Sequence, residues 1–138
     1  MTVLVAYDGS APAQKAVKRA FDTYPDEEIV LLRVVEVGDS LTKASLNAVQ
    51  EMLGDRRERT AEDLRTEIAD LVTADTVDFQ AETATGNPAK EVVEYAEEHD
   101  IDHIIVGSHG RKGVSRVLLG SVAEQIVRRA PVTVTVVR

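Results

Sequence analysis

Short runs rich in valine and isoleucine alternate along this chain with segments whose apolar residues recur at helical spacing, and that alternation restricts the fold more than any other feature. TVLVAY (Thr2 to Tyr7) is apolar almost without interruption. A strand covered by helices on both faces reads this way, because neither side can be left to water. It ends in the turn signal Asp8-Gly9-Ser10. From Pro12, Ala13, Ala16, Val17, Ala20 and Phe21 mark one face of a helix that Tyr24-Pro25-Asp26 stops. EIVLLRVVEV (Glu28 to Val37) is a second strand, closed by Gly38-Asp39. A long polar stretch then carries a helical stripe of Leu46, Val49, Leu53, Ala61, Leu64, Ile68 and Leu71. VDFQAET (Val77 to Thr83) alternates strictly, as a half-buried or edge strand does.

Gly86-Asn87-Pro88 opens a further helix with Val92, Val93 and Ala96 on its inner face. DHIIVG (Asp102 to Gly107) is the fourth strand and Ser121 to Arg129 the last helix. Pro131 breaks that helix before the final strand, VTVTVV (Val132 to Val137). The order βαβαβαβαβ predicts an α/β fold with a parallel sheet, helices on both faces and right-handed crossovers. With no repeats, linkers or low-complexity segments, residues 1–138 are expected to form one doubly wound domain.

Composition narrows the function. At 138 residues and 43% apolar the chain is long enough to bury a core, and without cysteine it offers no disulfide or thiolate metal site. MTVLVAYDGS lacks the basic and apolar regions of a signal peptide, and no apolar run reaches a membrane span, so a cytoplasmic location is expected. The net charge of −8 opposes non-specific attraction to nucleic acid or anionic lipid. An anionic ligand therefore needs a local cradle.

The stretch GSHGRKGVSRVLLGS (Gly107 to Ser121) offers one. In an open α/β sheet, ligands bind beyond the C-terminal strand ends where the strand order reverses. If the first and fourth strands are neighbours, the Asp8 turn and the Gly107 loop face each other across one crevice. Gly107 and Gly110 let a ligand approach the main chain closely. Successive loop N–H groups form an anion-binding concavity, and Gly120-Ser121 begins a helix with unpaired donors at its start. Arg111 or Lys112 can supply counter-charge. Neither GxxxxGK[ST] nor GxGxxG occurs here.

Each residue also has a purely structural reading. Ser121 with Glu124 has the spacing of a capping box, so Ser121 caps the helix, contacts phosphate, or does both. Asp8 can cap the first helix or brace its own turn. Gly86 reads as a turn residue, His109 as a loop residue and His103 as a strand residue. The three histidines lack metal-site spacing. No nucleophile–base pair is visible, so nothing here demands catalysis.

Taken together, VAYDGS, TGNPAKEVVEYA and GSHGRKGVSRVLLGSVAEQIVRRAPVTVTVV resemble the universal stress protein (UspA-like) family along essentially the whole chain. Gly107, Gly110, Gly120 and Ser121 match its nucleotide-binding signature: glycine, two residues, glycine, nine residues, glycine, then Ser or Thr. The family has members that keep this motif and bind ATP and members that lack it and do not, and this chain looks like the first class. The resemblance implies that Asp8 and the backbone at Val35 meet the adenine and ribose end, and that Val106 and Gly107 line the ribose side. It assigns the phosphates to Gly110, Gly120, Ser121 and Val122, with a divalent ion (magnesium or manganese) shared among them. The segment from Gly38 to about Leu53 falls where the family varies and is a candidate lid.

The resemblance further implies strand order 3-2-1-4-5 and a homodimer. Val132 to Val137 alternates and has no covering element after it, an open edge that a second copy could pair with. Three functions stay open: an ATP-binding stress or signalling protein acting through conformation or a protein partner, a slow ATPase, and a nucleotide-independent dimeric scaffold. AMP, ADP and ATP share the adenosine contacts, so the motif leaves the nucleotide open.

Overall fold

The computed structural model of the chain describes residues 1–35, 62, 66–69, 79–108 and 119–138. Its elements run β1 (Thr2–Ala6), α1 (Ala11–Thr23), β2 (Glu28–Val35), β3 (Phe79–Thr85), α2 (Pro88–Glu98), β4 (His103–Gly107), α3 (Ser121–Arg129) and β5 (Thr133–Val137), with 66–69 also helical. The strands form one parallel sheet in the order β3-β2-β1-β4-β5. That is the order expected above, with β1 flanked by β2 and β4.

Period-two alternation explains why β1 reads as continuously apolar. Val3, Val5 and Tyr7 face one side, where α1 packs Ala16, Val17, Ala20 and Phe21 and where Ile68 is fully buried. Leu4 faces the other, with Val30, Leu32, Ile104 and Val106 under Ala89, Val92 and Ala96 of α2 and Ala123 and Ile126 of α3. The register sets Val3 beside both Ile29 and His103 and carries the pairing outward to Phe79 and Thr133. β3 alternates half-buried and exposed over its first four residues, as an edge strand should.

Polar groups lock the end of the sheet remote from the strand C-termini. Thr2 and Asp102 bond reciprocally: the Thr2 N–H donates to Asp102 Oδ2 and the Asp102 N–H to the Thr2 carbonyl, each at 2.9 Å. His103 sits half-buried between two hydroxyls, with Tyr24 Oη 3.3 Å from Nδ1 and Thr135 Oγ1 2.6 Å from Nε2.

Element boundaries differ from the sequence reading in ways that have causes. α1 begins at Ala11 rather than Pro12, because Ser10 is already the cap. β3 runs on to Thr85, since its pairing with β2 persists to the Val35–Thr85 pair and only Gly86, at φ 140°, ends it. The candidate lid from Gly38 to Leu53, and all of the helical stripe except Ile68, lie outside the described residues.

Candidate functional site

The C-terminal ends of β1 and β4 are adjacent, so the two unusual turns meet across one crevice. On the β1 side, the Ser10 N–H donates to Asp8 Oδ1 at 2.9 Å and Gly9 takes φ 83°. Ser10 Oγ in turn accepts the Ala13 N–H at 3.3 Å and is the cap of α1. Asp8 therefore braces its own turn and leaves the capping to Ser10. Both Asp8 and Gly9 are half-buried at the mouth of the crevice.

On the β4 side, Gly107 is buried against α1. A Cβ placed there would stand 2.8 Å from the Pro12 carbonyl carbon and 2.9 Å from the Ala13 nitrogen. Main chain cannot move aside as a side-chain tip can, so this close approach itself requires glycine. The side chain of Val106 is 5% exposed and packs into the core under α2 and α3. Val106 and Gly107 thus offer the crevice their main chain.

Beyond Gly107, the Ser108 N–H donates to the Val137 carbonyl at 2.7 Å, and the Ser108 carbonyl accepts the Gly120 N–H at 2.6 Å. This second bond brings the two ends of the glycine-rich stretch together and sets the start of α3 beside the end of β4. Gly120, extended at φ −62° and ψ 154°, is the residue before the helix, and no side chain caps it. Ser121 is already helical, so the capping-box reading of Ser121 does not hold. The contrast with the other helices is direct: Ser10 Oγ caps α1 and Asn87 Oδ1 caps α2. α3 presents the donors of its first turn, at Ser121 and Val122, without a side-chain acceptor. Val122 is half-buried against the core. Gly110, Arg111 and Lys112 lie outside the described residues.

Val35 ends β2 on the far side of β1 from this loop, and its carbonyl accepts the Gly86 N–H at 2.9 Å. Sequence reasoning missed two contacts near the strand ends. The Tyr7 hydroxyl donates to Glu67 Oε1 at 2.6 Å, and burial, together with that carboxylate, raises its pKa, so it stays a donor. Glu91 folds back over Gly86. The first joins residues 60 positions apart, and no local pattern signals it. Among the described residues no group of three or more acidic or histidine side chains could hold a metal ion. None of their helices is long and apolar enough to cross a membrane.

A model of the universal stress protein family matches residues 1–138. The chain belongs to the universal stress protein family. A universal stress protein of Methanocaldococcus jannaschii is 31% identical to it over 99% of this chain and 81% of the relative. The structure of universal stress protein UspA from Lactobacillus plantarum superposes with a TM-score of 0.81 at 30% identity, covering 100% of this chain and 97% of the other. A universal stress protein solved in complex with cAMP superposes with a TM-score of 0.64 at 25% identity, over 100% and 96% of the two chains. Within the universal stress protein fold, then, the Asp8 turn and the end of β4 follow adjacent strands, the start of α3 is bonded to the end of β4, and Val35 ends the strand on the other side of β1.

Proposed function

We propose that this universal stress protein binds an adenine nucleotide across the C-terminal ends of β2, β1 and β4, and that occupancy selects a conformation or partner surface used in stress response or signalling. The observation that carries the proposal is the start of α3. No side chain caps it, unlike α1 and α2, and the Gly120–Ser108 bond holds it against the end of β4. Unpaired N–H groups and the positive end of the helix dipole favour an anion there. Phosphates would meet Gly110, Gly120, Ser121 and Val122, with Arg111 as counter-charge. Ribose would lie along the main chain of Val106 and Gly107 beside Asp8, and the base would lie at Val35. The complex of a related universal stress protein with cAMP supports an adenine nucleotide as the ligand class.

ATP, ADP and AMP all suit these contacts. With no carboxylate cluster among the described residues, a magnesium or manganese ion would arrive on the phosphates and be held chiefly by them. Residues 1–138 act as one nucleotide-binding domain of a cytoplasmic protein that pairs with a second copy through β5.

A second reading, a nucleotide-independent scaffold, draws on Gly107, whose identity the packing of α1 already explains. Calorimetric titration of magnesium ATP into nucleotide-stripped protein separates the two. Saturable binding near one site per chain, lost in Gly110→Val, is the expected result. Folded protein that takes up no ATP, ADP or AMP would leave the scaffold reading in its place.

A further inference from the structure

The rim where β2 and β3 end carries hydrogen-bond acceptors that the phosphate and ribose contacts do not use. Gly86 leaves β3 at φ 140° and donates its N–H to the Val35 carbonyl. In the first turn of α2, Glu91 turns its carboxylate back over this glycine: Oε1 lies 2.7 Å, and Cδ 3.3 Å, from where a Cβ on Gly86 would stand. Glycine here both permits the backbone turn and makes room for the Glu91 carboxylate. Neighbouring Lys90 pairs with Glu94 instead, and among the described residues the Glu91 carboxylate has no hydrogen-bond donor or ion-pair partner. It is half-buried. A carboxylate in such a position gains from any donor that a ligand brings.

We propose that Glu91 determines base specificity in this site, its carboxylate accepting a hydrogen bond from the exocyclic 6-amino group of adenine. This rests on the nucleotide reading above, which sets the base at Val35. Val35 is bonded to Gly86 and Gly86 is covered by Glu91, so a base against the end of β2 lies next to that carboxylate. The Glu91 carboxylate accepts, and the Val35 carbonyl, which already takes the Gly86 N–H, has one further lone pair, so this rim selects a base edge that donates. The arrangement also separates charge. The phosphate end lies at β4 and α3, two strand spacings or about 10 Å from β2, so the carboxylate is held away from the anionic end of the ligand.

The test compares ATP with its 6-deamino analogue, purine riboside triphosphate, which loses the amino group and gains no new donor. Both are titrated with magnesium into the stripped full-length chain, as the parent, Glu91→Ala and Glu91→Gln. The parent is expected to prefer ATP by about tenfold or more, the scale of a hydrogen bond to a charged group. Glu91→Ala should weaken ATP by that factor and leave the analogue unweakened, and Glu91→Gln, which keeps a neutral acceptor, should fall between. A carboxylate that merely supports the start of α2 would instead lower the melting temperature without changing the ratio of the two affinities. Equal binding of both ligands by the parent, or an unchanged ratio in both variants, overturns the assignment while leaving the nucleotide site standing. A parent that binds neither ligand removes both.

Discussion

Gly107 and His103 sit on the same strand and owe their identities to opposite demands. Gly107 must have no side chain, because Pro12 and Ala13 main chain occupies the place. Gly107→Ala should therefore force the first turn of α1 outward, lowering unfolding free energy in urea by about 1–3 kcal/mol. Parental stability in that variant would show that α1 yields freely and that packing does not fix this glycine. His103, by contrast, is held on both ring nitrogens by hydroxyls, and burial lowers its pKa below the ordinary 6.5. The folded chain then takes up a proton less readily than the unfolded chain. The contribution is complete above that ordinary value and is lost as pH falls from there through the folded pKa. Melting temperature should decline less steeply in this acid window for His103→Gln than for the parent. Parallel profiles would assign the decline to other groups.

At the scale of elements, α1, α2 and α3 differ at their starts more than along their lengths. Ser10→Ala removes the α1 cap and should cost about 1 kcal/mol. Ser121 caps nothing and is exposed, so Ser121→Ala should change stability in the free protein by less than about 0.5 kcal/mol. If the phosphate reading holds, the same variant should weaken ATP; a stability loss equal to that of Ser10→Ala would restore the capping role. The sequence pattern misled here for a definite reason. Ser121 and Glu124 have capping-box spacing, but the Ser108 carbonyl takes the Gly120 N–H, which fixes Gly120 in the extended conformation and starts the helix one residue earlier than a Ser121 cap would. Strand positions, in contrast, were legible to within two residues, because burial on one face or two leaves a direct mark on residue order.

For the whole molecule, the open question raised by the sheet order is its edges. Among the described strands β3 and β5 are terminal, and β5 pairs on one side, with β4. Pairing of β5 between two copies would satisfy its free main-chain groups. Light scattering at micromolar concentration should give twice the monomer mass; a monomeric value would remove the proposed homodimer.

The sequence by itself determined the order of elements, the doubly wound class and the motif positions Gly107, Gly110, Gly120 and Ser121. These follow from periodicity and spacing, which are local properties of the chain. Only the tertiary structure decided what each site residue touches. Tyr7 meets Glu67, Tyr24 meets His103 and His103 meets Thr135 across separations of 60, 79 and 32 residues. Gly107 proves to be shaped by α1, and Glu91 by its return over Gly86. Contacts of this kind depend on which strands become neighbours, and strand neighbours are chosen by burial of the whole sheet.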